Sequence, residues 1–324
     1  MTGRGLLPHL RALTWLNGTA VRLGLAPGAM DVVSKPAAQR QLSKAAPWAT
    51  RRPTPGVQTQ ELVVPTTGAG VRVRQYLPPG AAPDGPALLY LHGGGFLLGG
   101  LDAAHWLCNE IALLAGVPVT SVEYRLAPDD PHPAALDDCY AALQWLAASG
   151  VDATRIAVAG DSAGGNLAAA LALLTRERGG PSIAHQTLIY PLLDTRISSP
   201  SWDRWAGGGV DAAVGRRMVE LWVGDSPTDD PLVAPLLAED LTELPPAHVV
   251  LAECDVLHDD GEQYAARLLE AGVPARVSTY ARMPHGFLAI NRLCPAARPA
   301  VRDIARELRR ALRPEVSAAE ASGA

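Results

Sequence analysis

From about residue 60 onward, the chain alternates short apolar runs with stretches whose apolar residues recur at helical spacing. Glu61–Val64 and Val71–Leu77 alternate apolar and polar positions on either side of a glycine-containing turn, which predicts an antiparallel hairpin. Most of the later strand candidates are continuous apolar runs of the kind that a parallel sheet buries on both faces. They are Ala87–His92, Val119–Tyr124, Ile156–Ala159, Gln186–Tyr190, Val249–Glu253 and Arg276–Tyr280. The pattern therefore predicts a sheet of eight strands.

Helical periodicity fills most of the intervals between these strands. Asp102 is placed to cap the first helix, and Gly116, Gly150 and Gly272 are placed to end helices. The predicted core-facing stripes are Leu107, Ile111 and Leu114; Leu136, Tyr140 and Leu143; Leu167, Leu171 and Leu174; Tyr264 and Leu268; and Val301, Ile304, Leu308 and Leu312. Alternating strands and helices predict an α/β fold, with a mainly parallel sheet and helices on both faces.

Two segments break this alternation. Residues 1–50 and residues 197–223 fit no strand–helix unit, so we expect them to lie over the sheet as an N-terminal and an inserted cap segment. The α/β domain then comprises residues 51–196 and 224–314. Residues 315–324 are rich in Ala, Ser and Glu, which predicts a disordered tail.

Composition narrows the partners. The 324 residues carry a net charge of −5, which gives no long-range attraction to nucleic acid or to anionic lipid. No apolar run approaches the roughly 18 residues of a membrane span, and no signal peptide is apparent. The four cysteines are widely spaced, which argues against a zinc site and favours buried thiols in a reducing cytoplasm.

The strongest chemical motif is Gly160-Asp161-Ser162-Ala163-Gly164-Gly165. A serine on a sharp strand-to-helix turn projects above the sheet edge, and its strained backbone leaves no room for side chains on the flanking residues. The start of the following helix also favours a developing negative charge. Ser162 is therefore the predicted nucleophile.

A histidine downstream of the serine should act as the base. His185 and His248 lie at strand starts, at the wrong edge of a parallel sheet, and His258 lies at a helix start. His285 comes shortly after the strand that ends at Tyr280, and catalytic groups of open α/β sheets collect at the carboxyl ends of strands. His285 is the predicted base.

The acid that orients this histidine should also follow a strand. Asp255 directly follows Val249–Cys254. Asp259 and Asp260 are rivals, but their position predicts N-terminal helix caps. Glu253 is a further rival, and its side chain should point to the opposite side of the strand from Cys254. Asp255 is the preferred acid.

A second motif, His92-Gly93-Gly94-Gly95-Phe96, follows the strand at Leu88–Leu91. Three consecutive glycines let backbone N–H groups turn toward a ligand, as an oxyanion hole requires. Such a loop upstream of a nucleophilic serine turn predicts acyl transfer. The predicted chemistry needs no metal and no organic cofactor.

Together with Tyr124-Arg125-Leu126-Ala127-Pro128, Tyr190-Pro191, Asp255-Val256-Leu257 and His285-Gly286-Phe287, these motifs resemble the hormone-sensitive-lipase family of bacterial carboxylesterases, in its GDSAG branch. The resemblance covers roughly residues 60 to 312. It implies an α/β-hydrolase fold with a helical cap, and oxyanion donors from the backbone of Gly94, Gly95 and Ala163. It also implies that His92 and Gly93 structure the loop and that the acid is Asp255. Asp129 and Val256 depart from the family pattern.

The resemblance implies a serine carboxylesterase for short- to medium-chain acyl esters, and a homodimer through the last strand. The same residues could serve an N-acyl amidase or deacetylase, because the predicted triad does not distinguish esters from amides. They could also serve an acyltransferase. A ligand receptor on a hydrolase scaffold, like the plant gibberellin receptors, is disfavoured because His285 is present.

Overall fold

All eight predicted strands form in the computed structural model, which describes residues 5–12, 30, 49–66, 68–206 and 210–313. The strands are β1 (Gln58–Val64), β2 (Val71–Leu77), β3 (Ala87–Leu91), β4 (Val119–Glu123), β5 (Ile156–Asp161), β6 (His185–Ile189), β7 (Ala247–Cys254) and β8 (Ala275–Pro284). They form one sheet in the order β1-β2-β4-β3-β5-β6-β7-β8.

The strand directions confirm a mainly parallel sheet. β1 pairs antiparallel with β2, and β2 pairs antiparallel with β4, whereas all pairs from β4 across to β8 are parallel. The carboxyl ends of the parallel strands meet at one edge of the sheet, where such folds place their ligands. β8 forms one side of the described sheet, and the homodimer through this strand stays a prediction.

Helices cover both faces. They are α1 (His105–Ala115), α2 (Ala134–Ala148), α3 (Ala163–Arg178), α4 (Ser201–Arg204), α5 (Ala212–Val223), α6 (His258–Glu270) and α7 (Ala297–Ala311). One apolar core includes Leu136 of α2, Leu167 of α3 and Tyr264 of α6. The other includes Ile111 of α1 and Ile304 of α7. The apolar stripes predicted from the sequence thus face the sheet from two sides.

Several strand boundaries differ from the prediction by one to four residues, and two differences affect contacts near the site. Asp102 does not cap α1, which begins after Ala104; its carboxylate instead pairs with Arg74 at 2.9 Å. β8 runs to Pro284 rather than ending at Tyr280, because a register shift lets it continue beside β7 with Cys254 opposite Pro284. The longer strand brings the chain up to the carboxyl edge immediately before His285.

The structure describes only a small part of the N-terminal segment but most of the inserted segment. Most of residues 1–50 lies outside the described residues, as do Trp15 and Trp48 and the tail 315–324. Within 5–12, Leu6 and Leu10 are buried in the core that contains α7. The inserted segment (residues 197–223) contains α4 and α5, with residues 207–209 outside the description. The division of the chain into cap segments and catalytic domain stays a prediction.

The prediction that Asp259 and Asp260 cap α6 was wrong. Neither Asp259 nor Asp260 caps α6; Asp259 pairs with Arg204 at 3.0 Å, whereas Asp260 is fully buried. One Asp260 oxygen accepts a 2.6 Å hydrogen bond from Ser199, and the other accepts backbone N–H groups of Leu193 and Asp194. Asp260 therefore ties α6, just beyond Asp255, to the chain that follows β6.

This burial makes stability depend on pH. Burial raises the pKa of Asp260 to about 7, against roughly 3.9 in an unfolded chain. The folded state thus retains a proton that the unfolded state releases, so this contribution to stability is present below about pH 4 and is lost as pH rises through 7. We expect the free energy of unfolding to fall from pH 5 to pH 8 more steeply in the wild type than in Asp260→Asn, measured by denaturant titration.

Asp259→Asn is the matched control, because it makes the same change one residue away and leaves Asp260 in place. It should keep the wild-type slope. Equal slopes in the wild type and in Asp260→Asn would contradict the assignment.

Candidate active site

The structure brings the three predicted triad residues into one line of hydrogen bonds. The Ser162 Oγ lies 2.9 Å from His285 Nε2, and His285 Nδ1 lies 2.8 Å from Asp255 Oδ2. A carboxylate can only accept, so Nδ1 carries the hydrogen and Nε2 is free to accept from the Ser162 hydroxyl. This is the arrangement in which an imidazole can remove a proton from an attacking serine.

Ser162 occupies a strained turn between β5 and α3. Its backbone has φ 55° and ψ −116°, a conformation that residues other than glycine rarely adopt. A Cβ on Gly160 would collide with the carbonyl oxygen of Gly164, and a Cβ on Gly164 would collide with those of Leu91 and His92. The two glycines of the motif are therefore required by close backbone approach, as the sequence pattern predicted.

Asp255 is the acid that the structure places at the histidine. It is 1% exposed, and its second oxygen accepts the N–H of Leu257 at 2.9 Å. The rivals bind elsewhere: Glu253 accepts the backbone N–H of Arg282, while Asp259 and Asp260 make the contacts described above. The carboxylate is thus held by two donors and faces the imidazole.

The other histidines stay away from Ser162. His258 opens α6 and contacts the carbonyl of Ala252, and His248 on β7 contacts Ser278. His185 is buried at the start of β6. None of the three is among the hydrogen-bond partners of Ser162 in the described part of the chain.

The triple-glycine loop lies beside the serine turn, as the motif predicted. Gly94 and Gly95 have positive φ values of 133° and 61°, and Gly94 accepts the N–H of Leu98 at 3.0 Å. Ala163 is the first residue of α3, so its N–H is one of the four that a helix leaves without an internal partner. All three residues line the same cavity as Ser162, and their role as oxyanion donors stays a prediction.

His92 supports the conformation of the glycine loop through packing and hydrogen bonds. Its ring is buried and stacks on Tyr124 with ring centres 4.1 Å apart, while Nδ1 contacts the carbonyl of Gly93 at 2.9 Å. The Tyr124 hydroxyl in turn donates to the His92 carbonyl at 2.6 Å. Burial lowers the pKa of His92 to about 4, so the ring is neutral near pH 7.

Asp161, next to the nucleophile, was not predicted as a site residue. One oxygen accepts the Tyr90 hydroxyl at 2.6 Å and the Gly93 N–H at 2.8 Å. A Cβ on Gly93 would collide with this carboxylate. Asp161 therefore binds the glycine loop to the serine turn. The signal was present in the sequence, because an acid beside the serine must either face solvent or bind a neighbouring loop.

The inserted segment reaches the loop through two further residues that were missed. Phe96, at φ 63°, stacks on Trp222 of α5 with ring centres 3.5 Å apart and planes 3° apart. The thioether of Met218, one turn earlier on α5, lies against Gly95. The backbone carbonyl of Trp222 accepts the backbone N–H of His132 at 2.7 Å. The indole N–H of Trp222 has no hydrogen-bond partner among the described residues. No sequence pattern linked α5 to the loop.

A cavity of about 1510 Å³ opens over Ser162 and His285. Trp202 and Met218 from the inserted segment line it together with Leu192 and Val256. Trp222 is buried at 1% exposure and packs away from the cavity lining. Of the tryptophans in the inserted segment, Trp202 is thus the one that faces the substrate space in the described structure.

A group that could hold a metal lies outside this cavity. Ligand atoms of His258, Asp259 and Glu262 lie within 4.8 Å of one another on α6, and Glu262 is exposed. This is the one such group among the described residues. A reaction that needs no metal or organic cofactor stays a prediction.

The charges around His285 favour its protonated form. Burial lowers the pKa of His285, but the charge and hydrogen bond of Asp255 raise it, and the charge of Asp161 adds to the rise. The pKa of His285 therefore lies above its ordinary value. The same carboxylates would stabilise the imidazolium that forms after proton transfer.

Of the helices in the described part of the chain, none has the length and apolar character that crossing a bilayer requires. A cytoplasmic location stays a prediction.

Comparison with known proteins places this arrangement in a family. The family model of the α/β-hydrolase fold matches residues 88–289. The esterase LipI of Mycobacterium tuberculosis is 39% identical over 75% of this chain and 79% of its own. An ethyl acetate hydrolase of Pseudomonas putida is 40% identical over 71% of this chain and 75% of its own.

Solved structures are similar over nearly the whole chain. An ester hydrolase from the Lake Arreo metagenome, in complex with a bipyridine phosphonate derivative, superposes with a TM-score of 0.87 at 34% identity, covering 94% of this chain and 98% of its own. A thermostable esterase from Pseudomonas putida gives a TM-score of 0.88 at 30% identity, covering 97% and 100%.

The raised pKa of His285 predicts the pH dependence of the reaction. The ring acts as a base only when neutral, so kcat/KM should rise with pH and level off above the pKa of His285. Because Asp255 and Asp161 raise that pKa, the midpoint should lie above the ordinary value of about 6.5. Initial rates on a neutral, soluble ester between pH 5 and pH 9 measure it. A constant kcat/KM from pH 5 to pH 8 would contradict histidine as the base.

Proposed function

Since the chain belongs to the hormone-sensitive-lipase-like family of α/β-hydrolases and is an esterase, we propose that Ser162, His285 and Asp255 hydrolyse short- to medium-chain carboxylic esters through an acyl-enzyme. The observation that carries this proposal is the unbroken line Asp255–His285–Ser162 beside a glycine loop, with contacts of 2.8 Å and 2.9 Å.

The first half-reaction forms the acyl-enzyme. The Ser162 Oγ attacks the ester carbonyl carbon while His285 Nε2 takes the hydroxyl proton. The N–H groups of Gly94, Gly95 and Ala163 hold the oxyanion, and each such donor is worth roughly 3–4 kcal/mol in systems where one has been removed. The tetrahedral species then expels the alcohol, which takes the proton from His285.

The second half-reaction returns the enzyme. Water attacks the acyl carbon and gives a proton to His285, and the collapsing intermediate releases the carboxylic acid while the proton returns to the Ser162 oxygen. Asp255 accepts from Nδ1 throughout, which fixes the tautomer and stabilises the imidazolium. An N-acyl amidase would use the same steps, and matched ester and amide substrates separate the two activities.

The triad assignment is tested by removing single functional atoms. Ser162→Ala should lower kcat by roughly 10⁴-fold or more, because the attacking oxygen is lost. Asp255→Asn should be severely impaired at neutral pH, because an amide can favour the wrong imidazole tautomer. Both are measured as kcat on a p-nitrophenyl ester, with circular dichroism to verify the fold.

Asp259→Asn is the matched control for Asp255→Asn, since Asp259 pairs with Arg204 and not with His285. It should retain activity near that of the wild type. A Ser162→Ala enzyme with a tenth of the wild-type rate would overturn the assignment of the nucleophile.

The cavity lining predicts a limit on acyl length. Each added methylene contributes about 0.8 kcal/mol of burial, so affinity should climb until the chain meets a wall. Trp202 is 4% exposed, lines the cavity and packs on Gly215 of α5, which makes it a rigid wall. We expect kcat/KM to peak for acyl chains of roughly two to eight carbons, a range taken from the family resemblance, and to shift to longer chains in Trp202→Ala.

The measurement is kcat/KM against acyl length for soluble esters. Trp205→Ala is the comparison variant, because Trp205 lies outside the cavity lining among the described residues. A steady rise through sixteen-carbon chains with activation at an emulsion surface would contradict this wall.

A further inference from the structure

The cavity that contains Ser162 carries an excess of positive charge, although the protein as a whole has a net charge of −5. Among the described residues, its lining includes six arginines and three acids. They are Arg51, Arg52, Arg72, Arg74, Arg292 and Arg298, with Asp102, Glu123 and Asp161. A cleft lined by one sign of charge concentrates ligands of the opposite sign.

The three acids are already engaged. Arg72 pairs with Glu123 at 2.7 Å, and Arg74 pairs with Asp102 at 2.9 Å. Asp161 is held by the Tyr90 hydroxyl and the Gly93 amide at the serine turn. Two of the acids thus offset Arg72 and Arg74, and Asp161 adds a third negative charge at the serine turn, so the lining has three more arginines than acids. The other four arginines lie elsewhere on the lining.

These four lie on two segments that run side by side. Arg51 donates its backbone N–H to the Asn291 side chain at 2.8 Å and its Nε to the Asn291 carbonyl at 3.3 Å. The Arg292 N–H donates to the Ala49 carbonyl at 2.9 Å. Arg298 follows in the first turn of α7. The segment that carries Arg292 begins at His285, so this arginine group lies along one wall that starts at the triad.

Two of the four are available to a ligand. Arg52 and Arg298 are exposed, and in the described part of the chain neither makes an ion pair or a side-chain hydrogen bond. Residues 1–60 contain eight lysines and arginines and one acid, Asp31, so this part of the sequence also carries an excess of positive charge. Guanidinium groups bind carboxylates through paired N–H donors.

We propose that the preferred substrates are esters that carry a carboxylate away from the scissile bond, such as half-esters of dicarboxylic acids, with Arg52 and Arg298 binding that carboxylate. This substrate class rests on the proposed esterase function. The ester carbonyl lies at Ser162 and the free carboxylate points along the wall from His285 toward Arg298. The length of the substrate decides whether both ends can be bound at once.

The experiment compares monoethyl half-esters with their neutral diethyl esters, from succinate to suberate, in a pH-stat at pH 7.5 and low salt. At least one half-ester should have a higher kcat/KM than its diethyl ester, and added sodium chloride should reduce that preference. Arg52→Gln and Arg298→Gln should each lower the ratio of half-ester to diester kcat/KM by about 3–10-fold, mainly through KM.

Arg302→Gln is the matched control, since Arg302 is exposed on the same helix as Arg298 and lies outside the cavity lining. It should leave both substrates unaffected. Active hydrolysis of diethyl esters without a preferred half-ester at any length would overturn the proposed substrate class while the esterase function stands. Failure to hydrolyse either series by an enzyme that is also inactive on p-nitrophenyl esters would overturn the proposed catalytic function, whereas failure on both series by an enzyme active on p-nitrophenyl esters would overturn the substrate class alone.

Discussion

The whole site depends on the sharp turn at Ser162, where a residue with a side chain is held at positive φ between β5 and α3. Such a conformation costs on the order of 1–3 kcal/mol and persists only when its surroundings hold it. Here the backbone of Ser162 donates to Ile189 at 2.8 Å and accepts from Asn166 at 3.1 Å and from Leu192 at 3.3 Å. At about 1 kcal/mol each, three such hydrogen bonds offset the strain. Gly160 and Gly164 then let neighbouring backbone approach, so the Ser162 hydroxyl and the residues proposed as oxyanion donors lie in one cavity.

Two carboxylates hold the two sides of this turn. Asp255 accepts a hydrogen bond from the His285 imidazole and Asp161 accepts one from the glycine loop, so the proposed base and the loop of the proposed oxyanion donors are each held by a carboxylate. The negative charges of Asp255 and Asp161 disfavour an anion next to Ser162 until His285 is protonated. Under the proposed substrate class, Arg52 and Arg298 attract the free carboxylate, so the two charge distributions would orient a half-ester with its carbonyl toward Ser162.

The sequence was sufficient for the strands, the triad candidates and the glycine loop, because each rests on a local pattern: alternation, a strand end, or a steric requirement for glycine. It was insufficient where a long-range contact is marked by no motif and no strand end. Asp260 resembled a helix cap from its position, yet it binds Ser199, 61 residues away. Phe96 and Trp222 likewise meet only through tertiary packing. The end of β8 was misplaced because a register shift beside β7 leaves no mark in the periodicity.

The Phe96–Trp222 stack, described above as a contact of the inserted segment, also bears on how such a protein can diversify. Replacing the inserted segment with one of another shape would be a direct route to new specificity if that segment were a separable module. Because Trp222 stacks on the residue that follows the glycines proposed as oxyanion donors, an exchanged segment without an aromatic ring at that position is expected to lower the rate as well as change selectivity. Variation in this lineage should therefore accumulate at Trp202 and Met218, which face the cavity, while the stacked pair stays constant.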